Sequence, residues 1–200
     1  MADRDHSIQT LKADFRRAAM TRRDALPAAE RMAAAQAVAD RGLPNLRSLA
    51  MNPGVTVSGY SPLKSEINPL PLLRRLADAG ASLALPVVVG RGQPLLMRAW
   101  SFGAPLRAGV WGIREPPVEA AEVFPDILIV PLLAFDRSGH RIGYGAGYYD
   151  MTITRLRAMK PTVAIGLAFA IQEIAAVPAT SHDARLDLVL TEHEAIDCRA

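Results

Sequence analysis

The 200-residue chain has little of what marks several protein classes. It has one cysteine, Cys198 near the C-terminus, so an internal disulfide is excluded and a reducing cytoplasm is the expected setting. No long apolar run is present: the longest candidate, 127–134, is short and broken by Pro131, which speaks against a membrane span. The opening MADRDHSIQTLKADFRR is charged from the start and lacks the apolar centre of a signal peptide. Four scattered histidines offer neither zinc spacing nor a Ser/His/Asp arrangement. Charge excess is small, at net +3, and it sits in the first fifty residues, which is too weak and local for a nucleic-acid partner. Lysine is also scarce, with three against twenty arginines.

Half of the residues are apolar, which suits one compact domain over residues 1–200. Ser7 can cap a helix in which Ile8, Leu11, Phe15 and Ala18 recur at helical spacing, with Lys12, Arg16 and Arg23 on another flank. An alanine-rich helix follows from Ala28 to Asp40, opened by Pro27 and closed by Gly42 and Pro44. Strand patterns then fall at 55–60, 82–85 with 87–89, 95–100, 127–130, 162–167 and 186–190, and helix patterns at 68–79 and 148–159. The Ile127-Leu-Ile-Val130 run is apolar on successive residues, as in a strand covered on both faces. This alternation predicts an α/β fold with a mainly parallel sheet, and ligands at loops leaving the carboxyl ends of strands.

One such loop is RIGYGAGYYD, residues 141–150. Gly143, Gly145 and Gly147 free the backbone for φ > 0 and for close approach of a ligand. Backbone amides there, with a helix beginning at Tyr148, favour an anion such as phosphate. Arg141 adds a fixed charge, and Asp136 or Asp150 can hold a hard cation such as Mg2+. The bland alternative is a tight turn whose glycines serve packing. Lys12 and Arg16, one helical turn apart, can grip one anion or simply form a solvated face. Glu66, after a strand and before a helix, can accept from the donor edge of a heterocycle or complement a helix dipole. Asp183 reads as a metal ligand or an ordinary loop acid. Cys198 reads as an inert tail residue, His140 as a solvated neighbour of the glycine loop, and 115–119 as a surface loop.

Taken together, Lys12 and Arg16, the Tyr60–Glu66 segment, Leu85-Pro86, the Gly112-Ile-Arg-Glu-Pro116 turn and Asp136 through Asp150 resemble the 5-formyltetrahydrofolate cyclo-ligase family. Ile142 stands where that signature has leucine, and Met151 where an arginine often follows. The resemblance implies a three-layer α/β/α domain of the sugar-isomerase and CoA-transferase-like type. It also implies ATP- and Mg2+-dependent ring closure of 5-formyltetrahydrofolate, with or without a polyglutamate tail, by a monomer or weak dimer. Under it, Lys12, Arg16 and the loop Arg141, Ile142, Gly143, Tyr144, Gly145, Ala146, Gly147, Tyr148 and Tyr149 hold ATP, with Arg141 and Tyr149 closest to the chemistry. Asp150 and Asp183 serve Mg2+. Ser61 and Glu66 hold the folate, with Tyr144 to Tyr148 where it meets the γ-phosphate. Two other readings remain at this level: an ATP-dependent paralogue with another acceptor, and a non-catalytic, RNA-binding module.

Overall fold

The computed structural model describes residues 2–43 and 54–199. Among these, seven strands form one sheet in the order β11-β10-β9-β6-β1-β2-β3. The strands are β1 (Thr56–Ser58), β2 (Ser82–Val87), β3 (Leu96–Trp100), β6 (Ile127–Pro131), β9 (Val163–Leu167), β10 (Leu188–Leu190) and β11 (Ala195–Asp197). The five central strands are parallel, and β3 and β11 close the edges antiparallel. Two short ladders stand apart: β4 (Arg107–Ala108) with β5 (Arg114–Glu115), and β7 (Ala134–Phe135) with β8 (Arg141–Ile142).

The continuous apolar run of β6 is explained by its position. Ile127 and Ile129 pack into the core beneath α2 (Ala28–Arg41) and α3 (Leu70–Asp78). Leu128 and Val130 join the opposite core with Ile153 and Leu156 of α4 (Tyr148–Met159). A strand covered on both faces must be apolar at every position. The helices therefore lie in a layer on each side of a mostly parallel sheet, which is the expected α/β architecture. Helix α3 stops in a Schellman turn: Ala81 N–H donates to Leu76 O and Gly80 N–H to Ala77 O, with Gly80 at φ 99°.

Several elements differ from their sequence patterns. Helix α1 runs Ala2–Asp24, so it begins before Ser7. Its inward face also differs: Leu11 is 46% exposed, whereas Lys12, Ala19 and Arg23 are buried. The apolar spacing misleads here because this helix covers the carboxyl end of the sheet, where polar partners await cations. Pro44, read as a helix stop, lies outside the described residues. The segment 115–119 is only partly a surface loop, since Glu115 is buried in β5 and pairs with Arg107 at 3.2 Å. Cys198 is no loose tail residue: it packs in the core, and burial pushes its thiol up to about 11, which leaves it inert near neutrality.

The chain order decides where a ligand can sit. From β1 it passes through α3 to β2 on one side, and from β6 through α4 to β9 on the other. The β1/β6 boundary is thus the topological switch point, and loops leaving the two strands part there to open a crevice. Gly59, just beyond β1, lets α3 pack closely on the sheet: a Cβ there would stand 2.2 Å from Leu73 Cδ1.

Candidate active site

A cavity of about 1090 Å³ fills that crevice. Its walls include Lys12 and Arg16 of α1, Ser61 and Glu66 after β1, the whole 141–151 segment, and Asp183. Apart from Asp136, every residue assigned from sequence to the nucleotide, folate or metal lies on this one surface.

The β7–β8 hairpin carries the glycine loop to its place. Asp136 builds the turn of that hairpin: its carboxylate accepts from Ser138 N (2.9 Å), Ser138 Oγ (2.6 Å), His140 N (3.2 Å) and Val177 N (2.8 Å). Burial opposes its ionisation, but these donors outweigh it and hold the carboxyl below its usual range. This capacity is spent on the turn and on Val177, and Asp136 lies outside the cavity lining, so it is a loop organiser and the metal reading of it falls away. His140 lies next to Ser138, with Nδ1 2.9 Å from Ser138 Oγ.

Within the loop, Gly145 (φ 98°) and Gly147 (φ 70°) occupy the left-handed region, while Gly143 does not. Gly147 is also the residue preceding α4, and no side chain caps that helix. Its first amides therefore stay available beside the cavity, the arrangement that suits an anion. Arg16 grips the loop, Nε donating to Gly143 O at 3.0 Å, and lies close over Gly145, where a Cβ would be 3.2 Å from its Cζ.

Two ion pairs border the loop. Lys12 Nζ donates to both Asp183 oxygens, at 2.8 and 2.6 Å, and Asp183 also accepts from Thr180 N (2.6 Å). Burial would raise the Asp183 carboxyl, but Lys12 and the Thr180 donors hold it below its usual range. Arg141, buried at 7% exposure, donates to Asp150 Oδ1 at 2.7 Å and to Ala184 O, and Ala184 N–H donates to the same Asp150 oxygen at 3.1 Å. Asp150 and Asp183 thus stand on one rim, each facing a cation. Among the described residues no three His, Cys, Asp or Glu side chains converge as a ready metal site.

The far end is built differently. Glu66 Oε2 accepts from Leu63 N–H at 2.7 Å, which tightens the turn after β1. Burial pushes its carboxyl up, against the Leu63 amide, Arg23 and the Tyr144 hydroxyl, which favour the charged form. The Tyr60 hydroxyl donates to Ile67 O at 2.7 Å. Tyr149 is held strongly in its neutral form by burial and by the Glu66 charge, so it can donate a proton in a hydrogen bond but does not ionise as a base. Ser61 Oγ donates to Arg114 O.

Known proteins share the sequence and the fold. The family model described as the 5-formyltetrahydrofolate cyclo-ligase family matches residues 8–192. The chain belongs to this family. A 5-formyltetrahydrofolate cyclo-ligase of Mycolicibacterium smegmatis is 36% identical, covering 92% of this chain and 95% of that one. One from Escherichia coli is 32% identical, covering 68% and 77%. The solved 5,10-methenyltetrahydrofolate synthetase of Aquifex aeolicus superposes with a TM-score of 0.72 at 30% identity, covering 95% of this chain and 94% of that one.

For a cyclo-ligase family member, one cavity residue and one residue buried behind the wall take parts that the sequence reading did not assign. Trp111, 65% exposed and at φ 58°, lies with its ring 6.2 Å from that of Tyr148 and forms part of the wall. Arg23, fully buried, donates from Nε to Ser65 Oγ (3.0 Å) and from Nη2 to the Tyr144 hydroxyl (2.8 Å). Its i+7 spacing from Arg16 was the available signal: both fall on the face that Lys12 begins. Met151 also reaches the cavity wall, where the family often has arginine.

Proposed function

We propose that the protein catalyses ATP-dependent cyclisation of 5-formyltetrahydrofolate to 5,10-methenyltetrahydrofolate, with release of ADP and phosphate. The observation that carries this reading is one continuous cavity with two unlike ends, divided by the glycine loop. Its volume, about 1090 Å³, exceeds the ~300–1,000 Å³ that serves a single ligand, so two substrates can share it.

Lys12, Arg16, Arg141 and the amides of the loop and of the start of α4 supply positive potential for the ATP phosphates. Asp150 and Asp183 fit Mg2+ in the way that ion is usually held, by one or two carboxylates together with phosphate oxygens. Such an ion would neutralise phosphate charge, and the present partners Arg141 and Lys12 are then free to turn toward the same phosphates. Glu66 and Ser61 hold the folate, Glu66 accepting from the donor edge of the pterin.

The formyl oxygen is a poor leaving group. It attacks the γ-phosphorus as the bond to ADP breaks, and N10 then attacks the formyl carbon. The ring closes as N10 gives up its proton to water, and the former formyl oxygen departs in phosphate. Such a transfer asks for alignment and charge neutralisation more than for a nucleophilic side chain. Tyr149, neutral and buried, donates rather than abstracts. A lone buried thiol suits a cytoplasmic enzyme.

The test is the absorbance of the methenyl product in a mixture of protein, ATP, Mg2+ and 5-formyltetrahydrofolate. Formation of product supports the reading. Folded protein that makes none overturns it, and ATP turnover unaffected by the folate points to a paralogue with another acceptor.

A further inference from the structure

Helix α1 presents three cations to the cavity side, and the third is unlike the others. Lys12 and Arg16 reach Asp183 and the glycine loop at the phosphate end. Arg23, two turns further on, is 0% exposed and meets Ser65, Tyr144 and the field of Glu66 instead. Ser65 in turn donates to Asp24, so that hydroxyl is fixed between α1 and the turn that holds Glu66. The guanidinium also lies 5.7 Å from the centre of the Tyr144 ring.

Burying a guanidinium is unfavourable unless its donors are used. Arg23 leaves Nη1 buried with no hydrogen-bond partner, which makes it a poor device for stability alone. What it does have is geometry: it touches both the turn before Glu66 and the loop residue whose hydroxyl faces that carboxylate.

We infer that Arg23 is a positioning residue for the folate end, holding Tyr144 and the 63–66 turn in register so that Glu66 faces the substrate. This rests on the assignment of Glu66 to the folate. The groups that face Glu66 are Arg23 from α1, Tyr144 from the glycine loop, Tyr60 after β1 and Tyr149 of α4. Arg23 is the one cation among them, and the tyrosines are neutral at ordinary pH. Burial already pushes the Glu66 carboxyl up, so loss of the Arg23 charge pushes it further and leaves less carboxylate near neutrality.

The experiment compares Arg23→Gln, Arg23→Lys and Glu66→Gln with the parent protein. In Arg23→Gln the KM for 5-formyltetrahydrofolate rises ~tenfold while that for ATP stays within ~twofold, a split expected when one polar grip is lost. The acid limb of kcat/KM for the folate moves to higher pH, and adding Glu66→Gln to Arg23→Gln removes that limb. Arg23→Lys keeps the charge without the fork, so its limb stays at the parent position while its folate KM still rises.

Equal rises in both KM values, or an unmoved acid limb in Arg23→Gln, overturn the inference. If Arg23→Gln does not fold, Arg23→Lys decides: a folate KM like the parent's, or an equal rise for ATP, overturns it. If Glu66→Gln alone leaves the folate KM unchanged, the folate assignment fails. The coupling is then read from the Glu66 carboxyl midpoint by 13C NMR of substrate-free protein. A midpoint that Arg23→Gln does not raise overturns the coupling itself.

Discussion

The two ends of the cavity, one proposed for phosphate and the other for folate, solve opposite electrostatic problems. At the phosphate end, Lys12–Asp183 and Arg141–Asp150 pair full charges across short distances. Each of these groups can exchange its partner for a phosphate or a cation without being left uncompensated. At the folate end, Glu66 and Arg23 are not directly bonded, and the carboxylate is held up by burial rather than down by a partner. One end stores charge in balanced pairs, and the other holds a carboxylate that favours a ligand able to donate to it.

The most severe way to break this comparison is at the phosphate end. Arg141→Ala removes a buried cation that also fixes Asp150, and a loss of ~10³-fold or more in kcat/KM follows from the size of such charge-stabilising contributions. The methenyl-absorbance assay measures it, and turnover near the parent rate would dissociate this arginine from the reaction.

Next in size is a reciprocal pair. Glu66→Gln raises the KM for the folate ~10- to 100-fold and leaves that for ATP nearly unchanged. Lys12→Met does the reverse, raising the KM for ATP ~tenfold. Steady-state kinetics with each substrate varied in turn separates the ends, and a variant that weakens both equally would merge them.

Stability sharpens the contrast further. The Asp183 carboxyl lies below its usual range when folded, so its contribution is complete above the unfolded pKa and is lost as pH falls through the lower folded value. Glu66 has the opposite sign: its cost is present above its raised folded pKa and is relieved as pH falls from there toward the unfolded value. At pH 7, Asp183→Asn is therefore expected to destabilise by about 1 kcal/mol and Glu66→Gln to stabilise by ~0.5–1 kcal/mol. Urea unfolding of both variants provides the check, and shifts of the same sign would contradict it. The smallest effect is steric: Gly147→Ala at φ 70° costs about 1 kcal/mol through backbone strain, read from the urea midpoint.

Much of this was legible in the chain. The β6 run announced a strand buried on both faces, and Tyr148–Met159 was readable as a helix in full. The glycine spacing marked the loop, although only Gly145 and Gly147 take positive φ. Other signals misled for local reasons. The apolar repeat of α1 pointed Leu11 inward, but Phe15, Ala19 and Met20 make its apolar contact, on the β7–β8 hairpin, and its cations Lys12 and Arg16 face the crevice beside it. Asp136 resembled a metal ligand because a carboxylate before a glycine loop reads alike whether it binds an ion or three donors of its own turn with the Val177 amide. Strand β11 and the two short ladders gave little signal, since two or three residues are too few to establish alternation.

The sequence by itself determined the longer elements, the parallel α/β class and the family, because periodicity, turn chemistry and motif spacing are local properties. The tertiary structure decided which groups meet: Lys12 with Asp183, 171 residues apart, and Arg23 with Tyr144, 121 residues apart. Burial, partner choice and the direction in which a carboxyl shifts depend on distances through space, and those exist only once the sheet has brought its carboxyl ends together.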